Sequence, residues 1–465
     1  MPKIDQNSRK QGIEWRWAKA IASTVLHHPR TTATASVLGT AIYEFGPVMT
    51  GSALAATAAT GFCLYRGAPH TWDRTVGPWV SAWWRRWSFY QRKWVTVMNG
   101  CDLSRLDKTT GELQIPRLRR VRVRRSWDVL YVRPLPGQTP HHYEEAAEAL
   151  AGSLLSNRVA VQRLAPNEIA LLVERFDPFG PGSLPVPASE IPPTSEVVDL
   201  KRLDVGSLED GAAFELGLLD SHVLVVGMTR SGKSGAIWNP LRQLGPMIRD
   251  GLVRVHGVDL KGGAELELGK QLFSRYARGP VGALKLLRRL VADMEQRQQE
   301  IRAAGRRKFS HSEQEPFELL IIDELLVLTA VADNRTRMEA QRLLTTLLTQ
   351  GAGLGFCVMA CVQDPTTDGV PMRKFFTTKI ALRLDQANHV DMILGEGKRL
   401  LGALADQIPA DQHGVGYVAI DGVREPRRFR FGLVTDDEIR ELVNTCSPDA
   451  ETEIYDEPLT AAAAA

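Results

Sequence analysis

Cysteine is scarce in this sequence of 465 residues, and its positions follow no disulfide or metal-binding pattern. The five cysteines are Cys63, Cys101, Cys357, Cys361 and Cys446. Their number is odd and no pair has the spacing of zinc ligands, so we expect neither a disulfide framework nor a structural zinc site. Cys357 and Cys361 lie in an apolar run and are predicted to be core thiols. This usage fits a protein whose main body lies in a reducing cytoplasm.

The sequence also lacks a recognisable signal peptide, a repeat of fixed period and a large net charge. The first 20 residues are polar, and no small-residue cleavage pattern follows a single apolar core. The net charge is only +3, but residues 1–133 contain 21 Lys and Arg against 8 Asp and Glu, so the remainder is net acidic. A basic N-terminal part predicts contact with an anionic surface, either nucleic acid or lipid head groups.

Two uncharged stretches predict a membrane-facing module within residues 1–99. Residues 31–43 and 45–65 contain no charged side chain, and only Glu44 separates them, beside a Gly46-Pro47 turn signal. The second stretch reaches the roughly 20 residues that a membrane span needs, and basic residues flank both outer ends. We therefore predict a transmembrane hairpin with both ends on the cytoplasmic side. A pair of small-residue helices in a soluble bundle is the alternative.

The segment that follows, residues 72–94, is WDRTVGPWVSAWWRRWSFYQRKW, in which six tryptophans interleave with five basic residues. Trp and Arg together favour an interfacial helix on an anionic bilayer. A helix packed on its own domain and a nucleic-acid-binding arm are the other interpretations. The location predicted for the protein is the cytoplasmic face of the cell membrane.

Residues 100–195 predict a small α/β domain and a linker. Strand patterns occur around residues 121–123 and 129–132, and a helix pattern with Thr139 as its N-cap follows. Two more strand patterns come next, and six prolines between residues 178 and 193 then mark the linker.

The stretch GMTRSGKSG, residues 227–235, fits the pattern G-x-x-x-x-G-K-[ST] of a phosphate-binding P-loop, the Walker A motif. An apolar strand pattern precedes it and a helix pattern opens at about Lys233, so backbone N–H groups and the helix N-terminus would cradle phosphate oxygens. Lys233 would reach the β- and γ-phosphates of ATP, and the hydroxyl of Ser234 would bind Mg²⁺. A chance match in a glycine-rich turn is the alternative. The predicted nucleotide-binding residues are Gly227, Met228, Thr229, Arg230, Ser231, Gly232, Lys233 and Ser234.

A second motif, FELLIIDELL over residues 317–326, has the pattern of a buried strand that ends in two acids. Asp323 is predicted to hold Mg²⁺, and Glu324 to orient and deprotonate the attacking water. Taken alone, the pair is also compatible with two solvated acids after a core strand. Its position about 90 residues after the P-loop favours a Walker B motif.

From residue 196 to residue 440 strand and helix patterns alternate, which predicts a doubly wound α/β fold with a parallel sheet. Residues 441–465 are acidic and alanine-rich, and we predict a disordered tail there. The P-loop fold by itself does not identify the activity, since kinases, GTPases, motors and transporters share it.

Three further stretches narrow the choice. VHGVDLKGGAELEL, residues 255–268, resembles the D-x-K…E-L motif of the FtsK/SpoIIIE family of DNA-pumping ATPases. LTQGAGLGFCVMACVQDPTTDGVP is similar to the segment of that family in which a glycine turn feeds a strand that ends in a glutamine. The region PHHYEEAAEAL to VERFDP is similar to the small domain before the motor. The resemblance covers about residues 117–436 and is nearest to members encoded on integrative and plasmid elements of mycelial bacteria.

This resemblance implies a RecA-like motor that forms a ring, usually a homo-hexamer, and threads double-stranded DNA with ATP and Mg²⁺. Gln363 matches the family's sensor glutamine, with Pro365 two residues later, and would lie near the γ-phosphate. No arginine finger is assigned, and Lys379 and Arg383 are candidates. The implied catalytic residues are thus Lys233, Glu324 and Gln363.

The departures from the family concern the sensor strand, the glycine turn and the C-terminus. The sensor strand reads ACVQ rather than A-T-Q, and the turn GAGLG lacks a basic residue. We expect no winged-helix reader after Arg440, and the long Pro-rich linker of cell-division members is missing. Together these favour intercellular transfer of a mobile genetic element. The alternatives are a chromosome-segregation translocase, an ATPase of a protein-export system and a non-translocating nucleotide switch.

Overall fold

A computed structural model describes residues 29–68, 71–72, 76–107, 111–124, 126–263, 265–363 and 370–455. The chain divides into two compact units, Met1–Ser81 and Ala82–Ala465. The described helices are α1 Pro29–Gly67, α2 Gly77–Arg85, α3 Gln91–Gly100, α4 Pro140–Glu145, α5 Ala147–Ser153, α6 Lys233–Arg249, α7 Gly279–Ala303, α8 Asn334–Gln350, α9 Ala387–Leu394 and α10 Asp436–Cys446.

The described strands form a two-stranded, a four-stranded and an eleven-stranded sheet. They are β1 Arg105–Leu106, β2 Leu113–Gln114, β3 Arg117–Val123, β4 Trp127–Arg133, β5 Val159–Ala165, β6 Glu168–Glu174, β7 Leu203–Leu208, β8 Ala213–Leu216, β9 Val223–Val226, β10 Val253–Asp259, β11 Phe273–Arg278, β12 Phe317–Ile322, β13 Phe356–Val362, β14 Thr378–Leu382, β15 Val415–Ile420, β16 Arg427–Phe431 and β17 Glu453–Tyr455.

Helix α1 of the first unit is broken at Gly46, whose φ of 76° and ψ of 160° are not helical. Pro47 follows, and the hydroxyl of Thr50 donates to the carbonyl of Ala41, nine residues earlier, at 3.0 Å. A straight helix would separate residues nine apart by about 13 Å, so the chain turns back here. Residues Thr40–Gly67 are long and apolar enough to cross a membrane, with a mean hydropathy of 1.3. The bend lies where a hairpin turn is expected, and membrane insertion stays a prediction.

The tryptophan-rich segment is divided between exposed and buried positions. Trp79, Trp83, Trp84 and Trp87 are all well exposed, and Trp79 is 72% exposed. Trp94 is buried and donates its indole N–H to the carbonyl of Pro116 at 2.7 Å. The interfacial interpretation thus remains a prediction for the exposed four, whereas Trp94 is a core residue.

The small domain consists of the antiparallel sheet β3-β4-β6-β5 with helices α3, α4 and α5 packed on it. Its core includes Tyr90, Trp94 and Met98, which come before residue 100. The predicted boundary at 99/100 is therefore wrong by about 18 residues, because the compact unit begins at Ala82. Aromatic and apolar residues at helical spacing along α3 pack against the sheet. The neighbouring arginines made this core-facing pattern hard to recognise in the sequence.

The large domain has the strand order β17-β11-β10-β12-β13-β9-β14-β15-β16-β7-β8. The first seven strands are parallel, and β14 to β8 pair antiparallel. Two hydrophobic cores cover its faces, one under α7 and α8 and the other under α6 and α10. The α/β fold with a parallel sheet is confirmed, and the antiparallel extension is an addition to it.

The C-terminal end of the large domain differs from the prediction. Helix α10 continues to Cys446, and β17 pairs in parallel with β11 at the edge of the sheet. The prediction of a disordered tail is therefore wrong for residues 441–455, because Leu442, Val443 and Cys446 are buried in the hydrophobic core that α10 shares with α6. Residues 456–465 lie outside the described part of the chain.

A buried ion-pair network attaches the small domain to the large one. Arg158, directly before β5, donates to the carbonyl of Gly402 at 3.0 Å and to the hydroxyl of Tyr417 at 2.9 Å. Arg428 on β16 pairs with Glu174 at 3.2 Å and Asp177 at 2.8 Å. Breaking a buried ion pair leaves a buried charge without its partner, which is strongly destabilising. We therefore expect the contact between the small and the large domain to be stable.

Candidate functional site

The loop after β9 is anchored between two neighbouring strands. All four residues of β9 are buried, as expected for a central strand. The N–H of Gly227 donates to the carbonyl of Val362 at 3.1 Å, and the N–H of Met228 to that of Arg383 at 3.0 Å. The loop therefore begins at the carboxyl edge of the parallel sheet, where ligands of α/β proteins bind.

Gly232 ends the loop and caps helix α6 with a left-handed φ of 95°. A Cβ atom here would lie 2.3 Å from the N atom of Gly414, so both the dihedral angle and the space require glycine. The N–H of Gly414 donates to the carbonyl of Ser231 at 2.9 Å, and the Nδ1 of His413 lies 2.6 Å from the carbonyl oxygen of Arg230. The turn at 412–414 thus supports the P-loop, which the sequence did not indicate.

Lys233 lies across the mouth of the loop. Its Nζ donates to the carbonyl of Gly227 at 2.6 Å and to that of Met228 at 3.0 Å. Burial lowers the pKa of this ammonium group. A phosphate in the loop would offer stronger acceptors to the same cation than the two carbonyl groups do.

The two predicted acids lie at the end of β12, on the same edge of the sheet. Asp323 and Glu324 are 1% and 5% exposed. Burial raises the pKa of Asp323 to about 6, since a carboxylate is costly away from water. Lys261 offsets part of this cost, with its Nζ 3.3 Å from Asp323 Oδ1 and 3.6 Å from Glu324 Oε2.

The donor set at this edge fits a magnesium ion. Among the described residues, the buried Oδ2 of Asp323 and the buried hydroxyl of Ser231 have no hydrogen-bond partner. Ser234 opens helix α6 and is half-buried. Carboxylate and hydroxyl oxygens are ligands that Mg²⁺ prefers. The assignment of Ser234 and Asp323 as its ligands stays a prediction.

Asp259 and Lys261 belong to this site, and the sequence reasoning gave them no role. Asp259 is fully buried, and its carboxylate accepts from the backbone N–H groups of Lys261 and Gly263 at 3.1 Å and of Leu266 at 3.0 Å. It therefore folds the loop that brings Lys261 to Asp323 and Glu324. The sequence contains both residues in the motif D-x-K. That the motif brings Lys261 to the two acids can be seen only in the structure.

Gln363 joins the two motifs. Its side-chain Oε1 accepts from the hydroxyl of Thr229 at 3.2 Å, and its backbone N–H donates to Glu324 Oε1 at 3.2 Å. The structure thus brings the predicted sensor to both the P-loop and the acid pair. Pro365 lies outside the described residues.

The two candidates for an arginine finger have different surroundings. Lys379 pairs with Asp421 at 3.3 Å, and Arg383 donates to the carbonyl of Thr229 at 3.2 Å. Arg383 therefore lies at the P-loop of its own chain, whereas Lys379 does not contact the site residues named here.

Comparison with known proteins identifies the domain that carries this site. Residues 192–400 match the model of the FtsK/SpoIIIE family. The chain is 28% identical over 393 residues to the transfer protein TraSA of Streptomyces ambofaciens, which covers 77% of this chain and 91% of that protein.

Solved structures give weaker likenesses. The conjugation coupling protein TcpA of pCW3 with ATPγS is 18% identical, with a TM-score of 0.47 over 71% of this chain and 93% of that one. The cytoplasmic domain of the type VII secretion ATPase EccC of Thermomonospora curvata is 20% identical, with a TM-score of 0.45 over 54% of this chain and 31% of that one. The segment that matches the FtsK/SpoIIIE family, residues 192–400, holds Lys233, Asp323, Glu324 and Gln363, so the site lies in a segment of FtsK/SpoIIIE ATPase type.

Proposed function

We propose that the protein is an ATP-driven translocase of double-stranded DNA that serves the intercellular transfer of a mobile genetic element. The observation that carries the proposal is the meeting of Lys233, the acids Asp323 and Glu324, and Gln363 at one sheet edge, inside the segment matched by the family. The likeness to a transfer protein over 77% of the chain supports the choice of DNA transfer within that family.

In this proposal each site residue has one task. Lys233 turns from the carbonyl oxygens of the loop to the β- and γ-phosphates of ATP. Ser234 and Asp323 hold Mg²⁺, which when bound neutralises phosphate charge. Glu324 orients the attacking water and accepts its proton.

Gln363 and Lys261 complete the chemistry of the site. Gln363 contacts both Thr229 and Glu324, so a change at the γ-phosphate would reach the P-loop and the acid pair together. Burial alone would lower the pKa of Lys261, but the neighbouring Asp323 and Glu324 raise that pKa above its usual value, so Lys261 supplies a positive charge beside the two acids. An arginine from a neighbouring subunit would stabilise the transition state.

The proposed assembly is a homo-hexameric ring at the cytoplasmic face of the cell membrane. The bent apolar helix α1 supports membrane attachment, and the exposed tryptophans Trp79, Trp83 and Trp84 support contact with its surface. Contacts to the phosphate backbone carry no sequence information, as a motor that runs over any sequence requires.

The test is the ATPase rate of the full-length protein with and without long duplex DNA. The rate should rise with duplex length, because a travelling motor hydrolyses more ATP per encounter on a longer track. Duplexes of unrelated sequence should act alike at fixed salt, and single strands should stimulate less. A rate unchanged by kilobase-length duplex at low salt, in a preparation shown to form rings, would overturn the translocase and favour protein export.

A further inference from the structure

Strand β3 carries a row of arginines at the edge of the small sheet, where only β4 pairs with it. We name the four arginines of β3, Arg117, Arg119, Arg120 and Arg122, together with Arg124 directly after the strand, the β3 arginine stripe. All five side chains are exposed. The stripe has no part in the nucleotide site, and the sequence showed it only as part of a strand pattern within the basic residues 1–133.

An irregularity in strand pairing keeps every one of these arginines out of the core. Residues of a strand face alternate sides, so Leu118 in the core would place Arg120 in the core as well. The register between β3 and β4 shifts between Leu118 and Arg120, which inserts one extra residue. As a result Leu118 and Val121 are both buried while Arg119 and Arg120 are both exposed.

The charges of the stripe are not neutralised by the part of the chain that the structure describes. Throughout the described ranges, no carboxylate forms an ion pair with any of the five arginines. Arg117 lies directly opposite Arg133 of β4, a like-charge pair that destabilises a sheet. Arg120 and Arg122 lie over the ring of Tyr131, at 5.9 and 5.8 Å from its centroid. The row therefore presents to the solvent guanidinium groups that have no carboxylate partner among the described residues.

Protection of an exposed strand edge explains only part of this pattern. Charged side chains, most often lysine, protect an exposed edge against pairing with another strand. Five arginines, one of which lies directly opposite Arg133, are more charge than the protection of a strand edge requires. Arginine is also the side chain whose planar fork binds phosphate through two hydrogen bonds.

The shape and charge of the surroundings favour a duplex over a lipid surface. Arginines at every second residue recur about 6.6 Å apart along a strand, which suits a line of phosphates. The face beside the stripe offers the half-buried Tyr131 and the buried Val129, so it has no exposed apolar side chain to enter a bilayer. Residues after 133 are net acidic, so long-range attraction for DNA must come from the N-terminal part.

We propose that the β3 arginine stripe binds the phosphate backbone of double-stranded DNA, independently of its sequence, outside the ATPase domain. This inference rests on the proposed function, since it names a contact surface for the same partner. The stripe holds the duplex beside the motor while the nucleotide site drives movement.

The experiment measures the affinity of full-length protein in detergent for a 40-base-pair duplex at several salt concentrations. The test variant is Arg120→Gln/Arg122→Gln/Arg124→Gln. Its matched control is Arg302→Gln/Arg307→Gln/Lys308→Gln, which removes the same charge from exposed positions at the end of α7 and in the loop after it. Basal ATPase activity without DNA reports whether each variant is folded.

Each lost phosphate contact should reduce the steepness of log K against log salt by about 0.9, so the test variant should lose about 2.7 and bind on the order of 500-fold more weakly at 0.1 M salt. The control should keep the slope of the unmodified protein. If the slope of the test variant is unchanged while the unmodified protein binds DNA and is stimulated by it, the DNA-binding role of the stripe is overturned and the proposed function is not. Loss of binding to phosphatidylglycerol vesicles with an unchanged DNA slope overturns it in favour of lipid. No stimulation of the unmodified protein by DNA is failure of the proposed function instead.

Discussion

The carboxylates of Asp323 and Glu324 are almost completely buried. The burial of a charged group lowers the stability of the fold, and such a group is kept where its charge has a function. Lys261 meets both acids, but the Oδ2 of Asp323 keeps no partner among the described residues. An unsatisfied buried carboxylate oxygen costs about 1–3 kcal/mol or more. At the scale of single residues, stability is thus given up at the position where a cation is expected to bind.

Exchange of Glu324 for Gln should separate nucleotide binding from hydrolysis. The amide keeps the shape of the side chain but cannot accept the proton of water, so hydrolysis should fall by about 10²–10⁴-fold while ATP still binds. Lys233→Ala should instead weaken binding and abolish turnover. Phosphate release and binding of a fluorescent ATP analogue measure the two effects. The matched control is Glu295→Gln, at an exposed position of α7. Normal hydrolysis by Glu324→Gln would show that another group is the base.

Gly232→Ala should damage the P-loop through both its dihedral angle and its space. The left-handed conformation alone costs a residue with a Cβ atom about 1–2 kcal/mol. The added contact at 2.3 Å from the backbone of Gly414 must also push the 412–414 turn away. Gly305→Ala is the control, because its φ is also positive, at 65°, but no atom lies within 4 Å.

Thermal unfolding and nucleotide binding should therefore respond differently to the two alanines. Both variants should melt at a lower temperature, and only Gly232→Ala should lose nucleotide affinity. Equal nucleotide binding by both would mean that the close approach of Gly414 to the loop is unimportant.

At the scale of elements, strand β9 leads directly into the P-loop, and the buried His222 precedes this strand. His222 is 1% exposed, and its Nδ1 accepts from the backbone N–H of Val358 on β13 at 3.0 Å. Its own carbonyl accepts from the N–H of Thr378 at the start of β14. One residue therefore fastens the P-loop strand to both of its neighbours.

The stability of this junction should depend on pH. Burial lowers the pKa of His222 to about 4, below its ordinary value of 6.5. The unfolded chain binds the proton more tightly, so stability present above pH 6.5 is lost as the pH falls toward 4. The loss can reach about 3 kcal/mol at 1.36 kcal/mol for each pKa unit.

Replacement of His222 by Asn should flatten this part of the profile, since its amide oxygen can accept from Val358 without becoming charged. Urea unfolding midpoints between pH 4.5 and 7.5 measure the effect. His141→Asn, on an exposed side chain, is the control and should leave the slope unchanged. A profile of His222→Asn parallel to that of the unmodified protein would contradict this role.

At the scale of the whole molecule, the boundary between the two units decides which truncation is useful. The second unit begins at Ala82, and residues 82–99 supply Tyr90, Trp94 and Met98 to the core of the small domain. The tyrosine hydroxyl also donates to the buried Asp128 at 2.7 Å. Residues 82–99 are therefore part of a folded domain, whatever their tryptophans contact outside it.

Deletion of residues 1–81 should give a folded protein that stays in the soluble fraction, since it removes the apolar helix α1 and no residue of the small-domain core. Deletion of residues 1–99 should destabilise the small domain, because each large core side chain removed costs about 2–5 kcal/mol. Sedimentation with anionic vesicles and thermal unfolding compare the two. A stable protein after the longer deletion would contradict the boundary at Ala82. Failure of the full-length protein to sediment would contradict the membrane hairpin.

The residues of the nucleotide site could be predicted from the sequence because they lie in short segments with characteristic residue types and spacing. A P-loop needs glycines, lysine and serine at fixed spacing, and the strand before Asp323 is a continuous apolar run, so Lys233 and Glu324 were identified from neighbouring residues alone. The alternation of strands and helices likewise determined the class of the fold, because each element's hydrophobic period depends only on its own residues.

Tertiary structure alone decided the contacts between distant segments. The sequence does not indicate that the 412–414 turn supports Gly232, that Asp259 folds the loop carrying Lys261, or that Glu453–Tyr455 closes the sheet edge beside β11. These contacts depend on which strands become neighbours in the sheet, and strand order has no local signature. The irregularity in β3 is of the same kind, since an extra residue shows itself only against the partner strand that it fails to match.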